Sequence, residues 1–235
     1  MKDKTLLGGL IVMGVGAVLI GVVWVLFLQP SRTPTAPLTA VPITIEGNPD
    51  EFTIFEIQTA ESEVTFSLDE LLRGLPTMAV GRSQQVAGQI AVNFDAPENS
   101  QIGPIVINAR TLRTDNEFRD NAIHGFILDT EAHEFITFTP TQINGLPEQF
   151  VSNEPIVVEI VGNLTIREIE QPVVFEGTVT ANGRAQLTGS ATSRIDRNVF
   201  QLEIPEAPGV ADVSEQVSLT IKFFAEPAKS GVNRQ

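Results

Sequence analysis

Apolar and polar residues alternate with a period of two from residue 52 onward, and this pattern leaves the chain few folds. In "VAGQIAVNF" (86–94), Val86, Gly88, Ile90, Val92 and Phe94 share one face, while Ala87, Gln89, Ala91 and Asn93 share the other. In "EPIVVEIVGNLTI" the apolar set is Ile156, Val158, Ile160, Leu164 and Ile166, and in "DVSEQVSLTIKFF" it is Val213, Val217, Leu219, Ile221 and Phe223. Val64, Phe66 and Leu68 alternate in the same way, as do Ile105, Ile107 and Ala109, and Val173, Phe175 and Val179. Such runs predict antiparallel strands with one buried and one wet face. "ANGR" (181–184) sets Asn182-Gly183 between two of them, which predicts a two-residue hairpin. The expectation is an all-β domain of about eight strands with one short helix. Several runs are long, and the one Trp, Trp24, lies outside them. A large extended antiparallel barrel therefore suits the pattern better than an immunoglobulin-type sandwich.

The first residues obey a different rule. Residues 5–28, "TLLGGLIVMGVGAVLIGVVWVLFL", carry no charge. As a helix they would reach about 36 Å at ~1.5 Å per residue, enough for a hydrocarbon core of roughly 30 Å. The run exceeds the usual apolar core of a cleavable signal peptide, so an uncleaved transmembrane anchor is expected over residues 1–28. Lys2 and Lys4 precede it, which places the N-terminus in the cytoplasm and the rest outside, in a single-pass membrane protein. Residues 29–51 contain Pro30, Pro34, Pro37, Pro42 and Pro49 and read as an extended linker. The barrel is expected over 52–227 and a short tail over 228–235. The net charge is −14, a balance that disfavours nucleic acid as a partner. Cys is absent, which removes disulfides, thiolate metal sites and a Cys nucleophile.

The alternation breaks at "TDNEFRDNAIHGF" (114–126), a dense polar cluster holding one of two histidines. Thr114 and Glu117 have capping-box spacing, Phe118, Ala122 and Phe126 form one apolar stripe, and Gly125 suits a stop. Asp115/Arg119 and Asp120/His124 are spaced as i,i+4 pairs. The cluster predicts a short amphipathic helix laid on the sheet. His124 and His133 lack a third ligand at metal-binding spacing, and no catalytic motif occurs.

The order of these features resembles the YceI-like family of lipid-binding, lipocalin-like barrels. That family carries a T-x-N-x-x-R-D signature, met here by Thr114, Asn116, Arg119 and Asp120. "DTEAHEFITF" (129–138), "GNLTIREIEQPVVF" (162–175), "IDRNVFQL" (195–202) and "FEIQTAESEVTF" (55–66) resemble its other motifs, in the family's order. The chain departs from the pattern at Glu134, where Pro is usual, at Glu168, where Gly is common, and at Val199 and Gln201, which replace Asp and Gly. The resemblance implies a barrel enclosing a long apolar channel that binds polyisoprenoid chains, such as quinones or prenyl phosphates, without chemistry on them and without a cofactor.

The alternating faces then name the channel-lining candidates: Phe66, Leu68, Ile90, Val92, Phe94, Ile107, Phe138, Val158, Phe175, Leu219 and Ile221. Plain core packing is the competing role for each. "LDELLRGLPTMAVG" (68–81) reads as an unusually apolar loop or as a short helix packed on the barrel end, and its Leu71, Leu72 and Met78 are candidates for the channel mouth or a membrane-touching lip. Arg119 and Asp120 are head-group candidates, with structural pairing as the alternative. Two functions stay open at this point: a membrane-tethered extracytoplasmic binder or carrier of an isoprenoid-type lipid, and a structural or interaction module with a packed, ligand-free interior.

Overall fold

A computed structural model describes residues 38–228. The expected anchor, the first part of the linker and most of the C-terminal tail lie outside the described residues. Thirteen strands occur among the described residues. In chain order they are β1 (Thr53–Ile57), β2 (Glu63–Leu72), β3 (Leu75–Ser83), β4 (Val86–Ala87), β5 (Gln89–Val92), β6 (Gln101–Ile102), β7 (Ile105–Asn108), β8 (Phe135–Asn144), β9 (Pro155–Ile166), β10 (Ile169–Asn182), β11 (Gln186–Asp196), β12 (Val210–Ala211) and β13 (Gln216–Pro227). Seven have nine residues or more and form the frame; the other six are shorter pieces that fill its edges. This is why a count of about eight alternating runs falls short of the number of paired segments.

All the strands join one curled antiparallel sheet, a half-barrel, with one short helix, α1 (Glu117–Ala122). The pairing path runs β4-β7-β8-β9-β10-β11-β13-β1-β5-β6. β13 has three partners: β11 along one edge, and β2 and then β1 along the other. β7 pairs with β8 only from Phe135 to Phe138, so the outer edge of the far half of β8 has no strand beside it among the described residues. A register shift between Pro140 and Gln142 marks the same place.

The curl turns the apolar faces inward. On β9, Val158, Leu164 and Ile166 are buried; on β10, Val173 and Phe175; on β11, Leu187, Ala191 and Ile195. Close approach of rings to backbone tightens the curve. Gly162 is one such place: a Cβ there would meet the Phe138 ring at 2.7 Å. The Phe138 ring packs edge-on against Phe175 with centroids 4.9 Å apart. In the 86–94 run the second face is dry as well, because Ala87 and Ala91 are also buried.

Two turns differ from expectation. Asn182 still pairs with Gln186, so the hairpin loop is the three residues 183–185, with positive φ carried by Gly183 alone. The stretch 68–81 is no loop. It forms the β2–β3 hairpin, closed by Arg73 and Gly74 at φ 53° and 80°. Its Pro76 sits on β3, whose only strand partner among the described residues is β2, and an edge strand tolerates the missing donor.

The helix also corrects its sequence reading. The cap is Asn116, whose Oδ1 accepts from the N–H groups of Phe118 (2.9 Å) and Arg119 (3.2 Å). Thr114 instead donates to Asp120 Oδ1 at 2.7 Å. Past Ala122 the chain continues in a wider π turn, Ile123–Ile127, which runs through Gly125 rather than stopping there. Asp120, Ala122, Ile123 and His124 are buried, while Phe118 is 56% exposed. The polar anchors Asp120 and His124 rotate the helix away from its Phe118–Phe126 stripe.

Candidate functional site

The concave face of the sheet encloses a cavity of about 200 Å³. Along β9 alone the lining runs from Ile156 to Ile166, about 33 Å of strand at ~3.3 Å per residue. No charged side chain lines it; the polar lining residues are Thr65, Ser100 and Thr220. Each of these hydroxyls is already engaged by the protein. Thr65 Oγ1 donates to Glu63 Oε1 (3.4 Å), Ser100 Oγ accepts from the Asn93 N–H (3.2 Å), and Thr220 Oγ1 pairs with Thr192 Oγ1 (3.1 Å). The cavity therefore presents dispersion contacts almost throughout, with three partly engaged hydroxyls as its polar groups.

Nine sequence-derived lining candidates are on this wall: Phe66, Ile90, Val92, Ile107, Phe138 and Val158, together with Phe175, Leu219 and Ile221. Two are not. Leu68 is partly buried in the core but outside the lining. Phe94 lies behind the wall: its ring packs on Phe55 (6.3 Å) and edge-on against Phe150 (5.5 Å), and Phe150 is the ring that reaches the cavity. Arg184 covers Phe94 from outside, 4.6 Å from the ring centroid. Leu146 and Phe150 line the cavity from the stretch after β8, where there is no alternation to reveal them. Ile57, Ile102, Ile136 and Ile143 were visible as apolar positions but carry no mark that separates lining from core.

The five mouth candidates are not on the cavity wall. Leu71 and Leu72 pair with Ala211 and Val210 on β12, and Met78 is 59% exposed on the edge strand β3. Arg119 bridges two carboxylates, Glu70 Oε1 and Asp115 Oδ1, both at 2.6 Å. Asp120 is buried and accepts from the backbone N–H and the hydroxyl of Thr114, both at 2.7 Å. Both signature residues are thus committed to holding α1 on β2 and on its own entry turn.

The same end of the sheet holds a buried polar network that sequence reading missed. Arg110 is 7% exposed. It donates to the carbonyls of Thr130 (2.7 Å) and Glu131 (3.0 Å) and pairs with Glu134 at 2.9 Å. Glu134 also accepts from Asn108 Nδ2 at 2.8 Å. A carboxylate therefore stands where Pro is usual because a buried arginine needs its partner there. His124 lies beside Arg113, whose Nη1 is 3.1 Å from His124 Nε2, and its own Nε2 is 2.8 Å from the Leu112 carbonyl. Burial, and then the Arg113 charge, push the His124 imidazole below its ordinary value. Asp120 and the Leu112 carbonyl oppose that shift. Among the described residues no group of His, Asp or Glu is disposed to hold a metal ion.

Comparison with known proteins places this geometry. A model of the YceI-like domain matches residues 55–225. Among solved structures, the chain is similar to a polyisoprenoid binding domain from Saccharophagus degradans implicated in plant cell wall breakdown. Identity is 13% and the TM-score 0.57, covering 74% of this chain and 98% of that one. It is similar also to Burkholderia cenocepacia BcnA, at 19% identity and TM-score 0.56, covering 72% and 98% of the two chains. The Campylobacter jejuni YCEI protein aligns at 16% identity and TM-score 0.50, covering 63% and 85%. No curated protein matches.

Proposed function

The chain belongs to the YceI-like family, and on that premise we propose that it binds a long isoprenoid-type lipid inside its curled sheet, without chemistry on it. The observation that carries the reading is the long cavity with no charged lining residue and only three hydroxyl-bearing ones, Thr65, Ser100 and Thr220. A wall of this kind recognises a ligand by length and apolar area. Each isoprene unit taken out of water contributes roughly 4 kcal/mol gross, at ~0.8 kcal/mol per carbon, before ordering costs are subtracted. One relative of the same fold is itself a polyisoprenoid binding domain.

We read the half-barrel as the larger part of a closed, lipocalin-like barrel. β4 and β5 are consecutive in the chain, and β4 begins the pairing path while β5 stands beside β6 at its other end. The membrane-anchored, extracytoplasmic placement follows from the uncharged run at 5–28 and the flanking Lys2 and Lys4. On this reading the domain takes up or hands over lipid close to the membrane in which it is anchored.

The test is chemical. Full-length protein purified from a quinone-containing host is extracted with organic solvent, and the extract is analysed by mass spectrometry. An isoprenoid near one equivalent is expected. Val92→Arg puts a cation into the lining, because Val92 is 4% exposed there, and the extract should then be empty while the far-UV spectrum stays that of a sheet. A folded wild-type protein that carries no lipid and gains no thermal stability from added isoprenoid would leave the packed interaction module as the better reading.

A further inference from the structure

The curled sheet leaves a slot between β6 and the far half of β8. β7 covers β8 only as far as Phe138, and beyond it β8 has β9 as its one strand partner among the described residues. β6, at the end of the pairing path, has only β5 among the same residues. Residues 98–104 and 140–143 form two walls of a hollow at this slot. Ser100, Ile102 and Ile143 line both the hollow and the apolar cavity, so the slot leads from the surface to the tail site.

A coil, residues 41–52, forms the third wall. From Ile43 to Glu46 it runs antiparallel to β6, as an added strand would: Ile43 lies on Gly103 and Glu46 on Gln101. Its ties to the sheet, however, come from side chains. The Ile43 N–H donates to Gln89 Oε1 (3.0 Å) and the Glu46 N–H to Gln101 Oε1 (3.0 Å), while Gln101 Nε2 donates back to the Glu46 carbonyl (2.9 Å). Prolines work against a ladder on every side. Pro42 on the coil, Pro104 after β6 and Pro140 on β8 all border the hollow, and each lacks the N–H that a ladder needs. The register shift in β8 between Pro140 and Gln142 falls at the same level.

We propose that the slot between β6 and β8 is the lateral portal through which a lipid tail enters and leaves the cavity, and that the coil at 41–48 is a strap that lifts from β5 and β6 to let it pass. The proposal rests on the lipid-binding reading above and adds the route and the moving part. Passage through a paired wall would break several ladder bonds together, whereas a coil held by two glutamine side chains opens locally with the ladders intact. No strap residue lines the apolar cavity. Its movement therefore sets how fast lipid exchanges rather than how tightly the tail is held.

The chain has no Cys, so a disulfide can be placed without competing thiols. The Ile43 Cβ is 3.1 Å from where a Cβ on Gly103 would stand. A disulfide spans about 3.5–4.5 Å between Cβ atoms, so Ile43→Cys with Gly103→Cys needs only a slight outward shift of the strap. The full-length double variant in nonionic micelles is loaded with geranylgeraniol, oxidised with diamide, captured on an affinity resin and washed with lipid-free micelles. Occupancy at successive times is read by native mass spectrometry. The oxidised form should release lipid at least about tenfold more slowly than the same protein after reduction with dithiothreitol, while wild type treated alike does not change. Gln89→Ala with Gln101→Ala removes the ties and should release at least about threefold faster than wild type, with equal occupancy at saturation. Equal release before and after reduction, or a glutamine variant no faster than wild type, overturns the portal and leaves the tail site standing. If wild type takes up no geranylgeraniol, the lipid-binding reading fails and the portal with it.

Discussion

Filling the apolar cavity should stabilise the fold by an amount that its size sets. An unfilled cavity in a packed interior costs about 24 cal/mol per Å³, because the lining atoms lack partners on one side. For about 200 Å³ this comes to about 5 kcal/mol of packing that a bound tail can restore. For a domain of this size each kcal/mol moves the midpoint by about 2–4 °C, so the loaded protein should melt about 10–20 °C above the empty one. The assay is differential scanning calorimetry of full-length protein in three forms: as purified, stripped of lipid, and reloaded with a saturating isoprenoid alcohol. The first and third should coincide, with the stripped form well below. A reloaded protein with one lipid bound that melts within about 2 °C of the stripped form would refute the reasoning, since the lipid would then be held somewhere other than this cavity.

Other substitutions separate the wall from the polar end. Phe138→Ala removes a buried ring that seats on Gly162 and packs on Phe175, and should cost about 3–5 kcal/mol in urea unfolding. Arg119→Ala leaves the Glu70 carboxylate, 5% exposed, without its 2.6 Å partner; a loss of about 2–3 kcal/mol is expected, with lipid occupancy of the folded protein unchanged. His124 is held below its unfolded value near ~6.5, so the unfolded chain binds more protons in the acid range. Its contribution is therefore complete above that value and is lost as pH falls through it toward the folded value. The slope is at most ~1.4 kcal/mol per pH unit, and His124→Gln should flatten it in denaturant titrations at pH ~7.5 to ~5.5.

The long strands were legible because one face is wet and the other dry. Val158, Leu164 and Ile166 on β9 and Val173 and Phe175 on β10 could be placed on the inner face by alternation alone. What escaped depends on contacts that no local period encodes. Asn116 and Thr114 are both good caps, and the choice turns on Asp120, which draws the Thr114 hydroxyl to itself. The Arg73-Gly74 turn hid a hairpin because an arginine with positive φ is not a usual turn signal. Likewise Gln201 takes φ 52° where the family has Gly, a conformation a side chain does not announce. The Arg110–Glu134 pair joins residues from separate stretches of chain, so the departure from Pro at 134 had no visible cause until the two met. The stretch ahead of β1 was the least legible part: Gln89 on β5 and Gln101 on β6 tie its backbone down, contacts that no local period encodes.

The three partners of β13 have a consequence for the order in which the domain can form. This strand follows all of its partners in the chain, yet it is the seam between β11 and the first two strands, β1 and β2. The Ser62 hydroxyl meets the backbone of Phe224 across 162 residues of chain. Contacts at that separation close the largest loops and form slowly. A nascent chain can therefore pair β1 with β5 and β2 with β3 early, but the edges that β13 covers stay open until that strand arrives. Truncation just before Gln216 would leave the edges of β1, β2 and β11 bare at once, a template for association between molecules rather than a smaller version of the fold.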